Sequence, residues 1–104
     1  MFIFRDSTES RAQPVPEEMR ALAGQWYAWM QKFIASILPG GDGLERTGRL
    51  VKAGIVTDGP YVEAKEIIAS FSVIRADDYD AARAIARECP GDYAVEIREM
   101  SGYA

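Results

Sequence analysis

Residues 56–66, VTDGPYVEAKE, bring Asp58, Tyr61, Glu63, Lys65 and Glu66 into one short stretch of chain. Two roles fit Asp58. In an Asp-Gly-Pro turn the carboxylate accepts hydrogen bonds from nearby backbone amides, while Gly59 tolerates unusual dihedrals and Pro60 fixes the exit. Aimed into a cleft instead, Asp58 would serve as a proton acceptor or metal ligand. A lone carboxylate is a base near neutral pH only if apolar neighbours such as Tyr61 or Trp26 raise its pKa. Tyr61 or Arg98 would then stabilise the developing negative charge, the arrangement of an isomerase or lyase. We take the turn role first. Glu63, Lys65 and Glu66 read as a solvated edge that discourages further strand pairing, or as a pairing that holds the loop over a cavity.

A second group lies later in the chain. Glu96 and Arg98 are two apart on a strand, so they form an ion pair, or Arg98 presents its planar fork to a carboxylate or phosphate of a small ligand. Ser70 and Ser72 would orient the same ligand, or serve as small residues that let two sheets approach. Trp26 and Trp29 read first as core and second as a platform for a ligand.

Other chemistries are excluded or weakened. The chain has no histidine, which removes the commonest general base, the commonest metal ligand and the usual triads. Cys89 is the one cysteine; it reads as a small buried hydrophobe. Gly40-Gly41-Asp42-Gly43 lacks the Gly-Lys-Ser/Thr ending of a phosphate loop. No metal-ligand spacing occurs, and no cofactor is implied. With a net charge of −4 and scattered basic residues, nucleic acid is not expected as a partner. No apolar run approaches a membrane span, and the start, MFIFRDSTES, is too quickly polar for a signal peptide. A cytoplasmic protein is expected.

These residues need elements to hold them. The 104 residues suit a single domain over 1–104. MFIFR reads as a strand, and 6–15 as a loop. Pro16 with Glu17 and Glu18 opens a helix to about residue 35. Its Met19, Leu22, Ala23, Trp26, Tyr27, Trp29, Met30, Phe33 and Ile34 share an arc of roughly 160°. Half of that arc packs on a sheet; the other half meets a partner subunit or roofs a pocket. Ser36 to Leu38 is a short strand, and Pro39 to Gly43 breaks regular structure. Residues 49–57 form a hairpin turning at Ala53-Gly54. Ile67 to Arg75 is the clearest strand, with Ile67, Ala69, Phe71 and Val73 on one face and Ile68, Ser70, Ser72 and Ile74 on the other. Asp77 caps a helix that Pro90-Gly91 ends. Tyr93 to Met100 is the last strand, with Tyr93, Val95 and Ile97 on its apolar face.

Two helices cover one face of an antiparallel sheet, a ferredoxin-like α+β fold. The apolar faces of the last two strands are expected under the helices. That leaves Ser70, Ser72, Glu96 and Arg98 on the far face with Ile68 and Ile74. A second subunit's sheet would cover this face, giving a homodimer with a semi-polar cleft between the sheets.

The Asp-Gly-Pro-Tyr at 58–61, followed by Glu, Lys and Glu, resembles the DGPF signature of YCII-related proteins, with Tyr61 in place of phenylalanine. GGDGL at 40–44 resembles that family's Gly-Gly-acidic segment. The helix ending in Cys89-Pro90 and the VEIRE at 95–99 resemble its second helix and last strand. The resemblance covers essentially the whole chain. It implies a dimeric α/β barrel of ferredoxin-like subunits, mostly bacterial and without assigned activity. Members of the wider group have been proposed as enzymes on a first-helix histidine facing an aspartate. Here the first helix offers Trp26, Tyr27 and Trp29 instead, so that pair does not carry over.

The resulting expectation is a homodimer binding a small anionic or aromatic metabolite between its sheets. The alternatives are an isomerase or lyase using Asp58 and Tyr61, and an interaction module linked to transcription regulation.

Overall fold

The computed structural model describes residues 1–7, 15–59 and 66–102. The elements run β1 (Phe2–Ser7), α1 (Pro16–Lys32), β2 (Ile37–Gly43), β3 (Gly48–Lys52), β4 (Ile55–Gly59), β5 (Glu66–Ile74), α2 (Tyr79–Ala86) and β6 (Ala94–Ile97). Four strands form one antiparallel sheet in the order β2-β5-β1-β6, and β3 pairs with β4 as a separate two-stranded sheet. Ignoring the hairpin, this is the ferredoxin-like order, and the α+β fold is as the element pattern predicts.

The first strand decides which face is the core. Phe2 and Phe4, two apart on β1, are the most deeply buried large side chains among the described residues, at 1% and 2% exposure. Trp29, Ala82 and Ile85 complete the buried cluster, so both helices pack on the face that carries the two phenylalanines. Trp26, Phe33, Ile37, Ile74, Tyr93, Val95 and Ile97 close around it. The two helices are tied by the Trp29 indole N–H, which donates to the Ile85 carbonyl at 3.1 Å. Lys32 also pairs with Glu88.

Register corrects the expected face of β5. Directly opposed residues of an antiparallel pair share a face. Phe2 lies opposite Ser72 and Ile97, and Phe4 opposite Ser70 and Val95. Ser70 and Ser72 therefore lie on the helix side, whereas Phe71 lies opposite Ile3 on the open face. Tyr93, Val95 and Ile97 lie under the helices as predicted. Ile67 is also buried, at 6% exposure. It reaches the helix side because the register shifts after Phe4 and Ser70: the next pair is Arg5 with Ile68, so Ala69 is an extra residue in β5. Such a bulge swaps the faces of everything beyond it.

Three smaller expectations also change. Pro39 to Gly43 does not break the strand but belongs to β2. Its register jumps from Leu38 opposite Val73 to Asp42 opposite Phe71, so three residues bulge past one. The cap of α2 is Asp78, not Asp77; its Oδ1 accepts from the Ala81 N–H at 2.8 Å. α1 ends at Lys32, with a turn leading into β2. The β3–β4 hairpin turns at Ala53-Gly54 as predicted, with φ of +51° and +77°, the double positive-φ geometry of a two-residue hairpin loop. Among the described residues no helix is long and apolar enough to cross a membrane.

Candidate functional site

Of two clefts among the described residues, the larger lies between α1 and the β2–β5 side of the sheet, with a volume of about 530 Å³. α1 supplies Trp26, Trp29 and Met30, the sheet supplies Phe4, Ser70 and Ser72, and Tyr93 closes one end. α1 forms here because Pro16 occupies its first turn with Glu17 and Glu18, which complement the helix dipole. Its Trp26, Trp29 and Phe33 fall on one side by helical spacing.

Trp26 is the hub of the aromatic wall. Its ring centroid lies 5.5 Å from Phe4 and 5.6 Å from Trp29, both edge-on, and 6.1 Å from Tyr93. Edge-to-face packing of this kind fixes ring orientation. Opposite the rings, the hydroxyls of Ser70 and Ser72 are the polar side chains of the sheet floor. Pro39, Gly40 and Gly41 form the outer wall. Gly41 is required there: a Cβ at this position would sit 2.6 Å from the Phe71 carbonyl oxygen. Asp42 also borders the cleft, but it shares a face with Phe71 by register, and its Oδ1 accepts from the Gly43 N–H at 2.8 Å.

The predicted site residues thus separate into two groups. Trp26, Ser70 and Ser72 come together in this cleft. Glu96 and Arg98 are on the open face, joined by a residue that strand spacing alone did not suggest. Arg5 Nε donates to Glu96 Oε1 at 3.0 Å and its Nη2 lies 2.9 Å from the same oxygen, while Arg98 Nη1 lies 3.2 Å from Glu96 Oε2. The hydrogen bonds from Arg98 and Arg5 hold the Glu96 carboxyl below its usual pKa. Alternation along β1 puts Arg5 on the face of Ile3, away from Phe2 and Phe4, but only the pairing of β1 with β6 brings it to Glu96. Arg98 is therefore committed to an ion pair. It borders a smaller cleft of about 300 Å³ at the end of the sheet, whose wall includes Phe2, Val73, Tyr79 and Ile97.

Asp58 lies by its backbone on β4 opposite Arg49, in the hairpin rather than the main sheet; its side chain lies outside the described residues. Tyr61, Glu63 and Lys65 lie outside them too, and Glu66 opens β5 by its backbone. Cys89 packs half-buried against the core. Burial pushes its thiol up to about 11, so at neutral pH it is protonated and a poor nucleophile.

A comparison with curated proteins finds no match. The model of the YCII-related domain matches residues 17–100, from the first turn of α1 through the cleft-lining strands to just past the last strand. The chain belongs to the YCII-related family.

Proposed function

We propose that the protein is a cytoplasmic homodimer that binds a small, neutral aromatic metabolite in the cleft between α1 and the sheet. The observation that carries this is the Trp26 wall, with Phe4, Trp29 and Tyr93 around it, facing the hydroxyls of Ser70 and Ser72. Aromatic walls with a few placed polar groups are the usual make-up of small-molecule sites. Hydroxyls orient a phenol, amide or ring nitrogen without demanding charge. An anionic ligand is not favoured at this cleft, because among the described residues no lysine or arginine lines it and Arg98 is held by Glu96. The dimer forms through the open sheet face. Ile3, Leu38, Phe71 and Val73 form its centre, and Arg5, Glu96 and Arg98 border it. An apolar centre with a polar rim is the common anatomy of an interface. A lone reduced thiol such as Cys89 suits the cytoplasm.

The ligand is tested by thermal shift and tryptophan fluorescence with phenols, indoles and aromatic amides, against a matched set of aliphatic carboxylates and phosphates. A binder at a hundred times its Kd adds about 2.7 kcal/mol of stability, which raises Tm by roughly 10 °C or more in a chain of this size. Ser72→Ala should weaken binding several-fold with the melt otherwise unchanged, and Trp26→Ala should abolish it. Binding confined to the aliphatic anions, or undiminished in Trp26→Ala, overturns the proposal.

A further inference from the structure

The β3–β4 hairpin carries more exposed apolar surface than a free ribbon should. Val51 is 64% exposed, Ile55 68% and Val56 60%. Val51 lies opposite Val56, and Lys52 opposite Ile55, so both faces of the ribbon carry apolar side chains. Among the described residues, β3 and β4 pack on each other and on no other strand or helix to a comparable extent. An isolated two-stranded hairpin is marginal in water, and unpaired apolar patches of this kind mark contact surfaces. The molecule around it is flat and open. It measures 42 × 42 × 21 Å with a radius of gyration of 15.5 Å, where a compact chain of this length has about 13 Å.

The area of the open sheet face says what covers the ribbon. Four strands at ~4.8 Å spacing and about six residues at ~3.3 Å each give a footprint of roughly 400 Å². A stable interface takes about 800 Å² from each partner. The sheet face alone falls short by about half. A five-residue ribbon adds roughly 170 Å² for each face it buries. Two-fold symmetry also makes each subunit both donor and acceptor of the contact, so every arm counts twice.

We propose that the β3–β4 hairpin is an arm that lies on a second copy of this chain, burying Val51, Ile55 and Val56 against the partner subunit. This rests on the homodimer of the preceding subsection and extends its interface beyond the sheet. The chain is therefore incomplete as a monomer in two places, the sheet face and the arm. In the arm it is Val51, Ile55 and Val56 that stand exposed within the subunit.

The test is the dimer dissociation constant, measured by analytical ultracentrifugation for three proteins. These are the wild type, V51K/V56E in the arm, and Val73→Lys on the sheet face. The arm variant places opposite charges at directly paired positions, which preserves the hairpin while removing its apolar surface, and circular dichroism checks that the fold is kept. The expected result is a dimeric wild type whose Kd rises at least about a hundredfold in the arm variant, which takes four valines out of the interface per dimer. Ile55→Lys, on the other face of the ribbon, should raise it about tenfold. A wild type that is monomeric at tens of micromolar overturns the dimer and the arm together. A dimeric wild type that Val73→Lys dissociates, with both arm variants within about twofold of wild type, overturns the arm and leaves the sheet dimer standing.

Discussion

Glu96 accepts from two guanidinium groups on the open face, and its protonation should be visible in stability. Its carboxyl pKa is lowered in the folded chain, first by the Arg98 hydrogen bond and then by that of Arg5. A depressed folded pKa stabilises the native state above the ordinary carboxylate range, and this contribution is lost as pH falls through the depressed value. Glu96→Gln should therefore lower the urea midpoint at neutral pH, with the deficit shrinking towards the acid end until the two proteins coincide. Equal deficits at all pH values would mean that Glu96 acts by packing and not by charge. Half of this pairing is legible in the sequence, because two-apart residues on a strand are neighbours. Arg5 is the other half. It joins Glu96 only because β1 sits beside β6, a long-range adjacency that local spacing does not encode.

At the scale of elements, β2 is the most unusual strand. It carries Pro39, Gly40 and Gly41 through a bulge against β5, with Gly40 at a φ of +115° and Gly41 pressed on the β5 backbone. Gly41→Ala forces a Cβ to within 2.9 Å of Ser72 Cα and closer still to the Phe71 carbonyl. Backbone cannot yield as a side-chain tip can, so β2 must move. The expected cost is about 1–3 kcal/mol, together with weakened ligand binding, since the same strand walls the cleft. Gly43→Ala is the control, because its added Cβ meets nothing within 4 Å, and chemical denaturation should separate the two. The sequence marks this stretch as a break, since proline and glycine punctuate chains locally. The hydrogen-bonded neighbour that holds it in the sheet is tertiary. β5 shows the same limit. Its alternation is plain, but two faces both carrying isoleucines leave the choice to β1, where Phe2 and Phe4 outweigh Phe71 and Val73. The extra Ala69 then moves Ile67 and Ile68 onto opposite assignments. The helices were more legible, because Trp26, Trp29 and Phe33 repeat at helical spacing and Asp78 stands one residue from the cap expected at Asp77.

For the whole molecule, the balance of apolar and charged contact predicts how assembly responds to salt. The proposed interface is apolar at its centre, at Ile3, Phe71 and Val73, and its charges are paired within each subunit through Glu96. Screening therefore has little intersubunit attraction to remove. Raising sodium chloride from 50 mM to 1 M should change the dimer Kd by less than about threefold, because charge at a rim acts mainly on encounter rates. Light scattering across a dilution series reads this directly. A dimer that dissociates steadily with salt would place Arg5 and Arg98 across the interface instead.

The bulge of β2 has one more effect. A sheet has two borders, and each bare border is an invitation to pair with another chain. Here one border is β2, whose Pro39 has no N–H to offer and whose backbone buckles out of register beside it. The other is β6, only four residues long. Strands this short or this distorted are how natural sheets discourage lateral growth. Further copies are thus discouraged from adding side by side to this sheet as ribbons or fibrils.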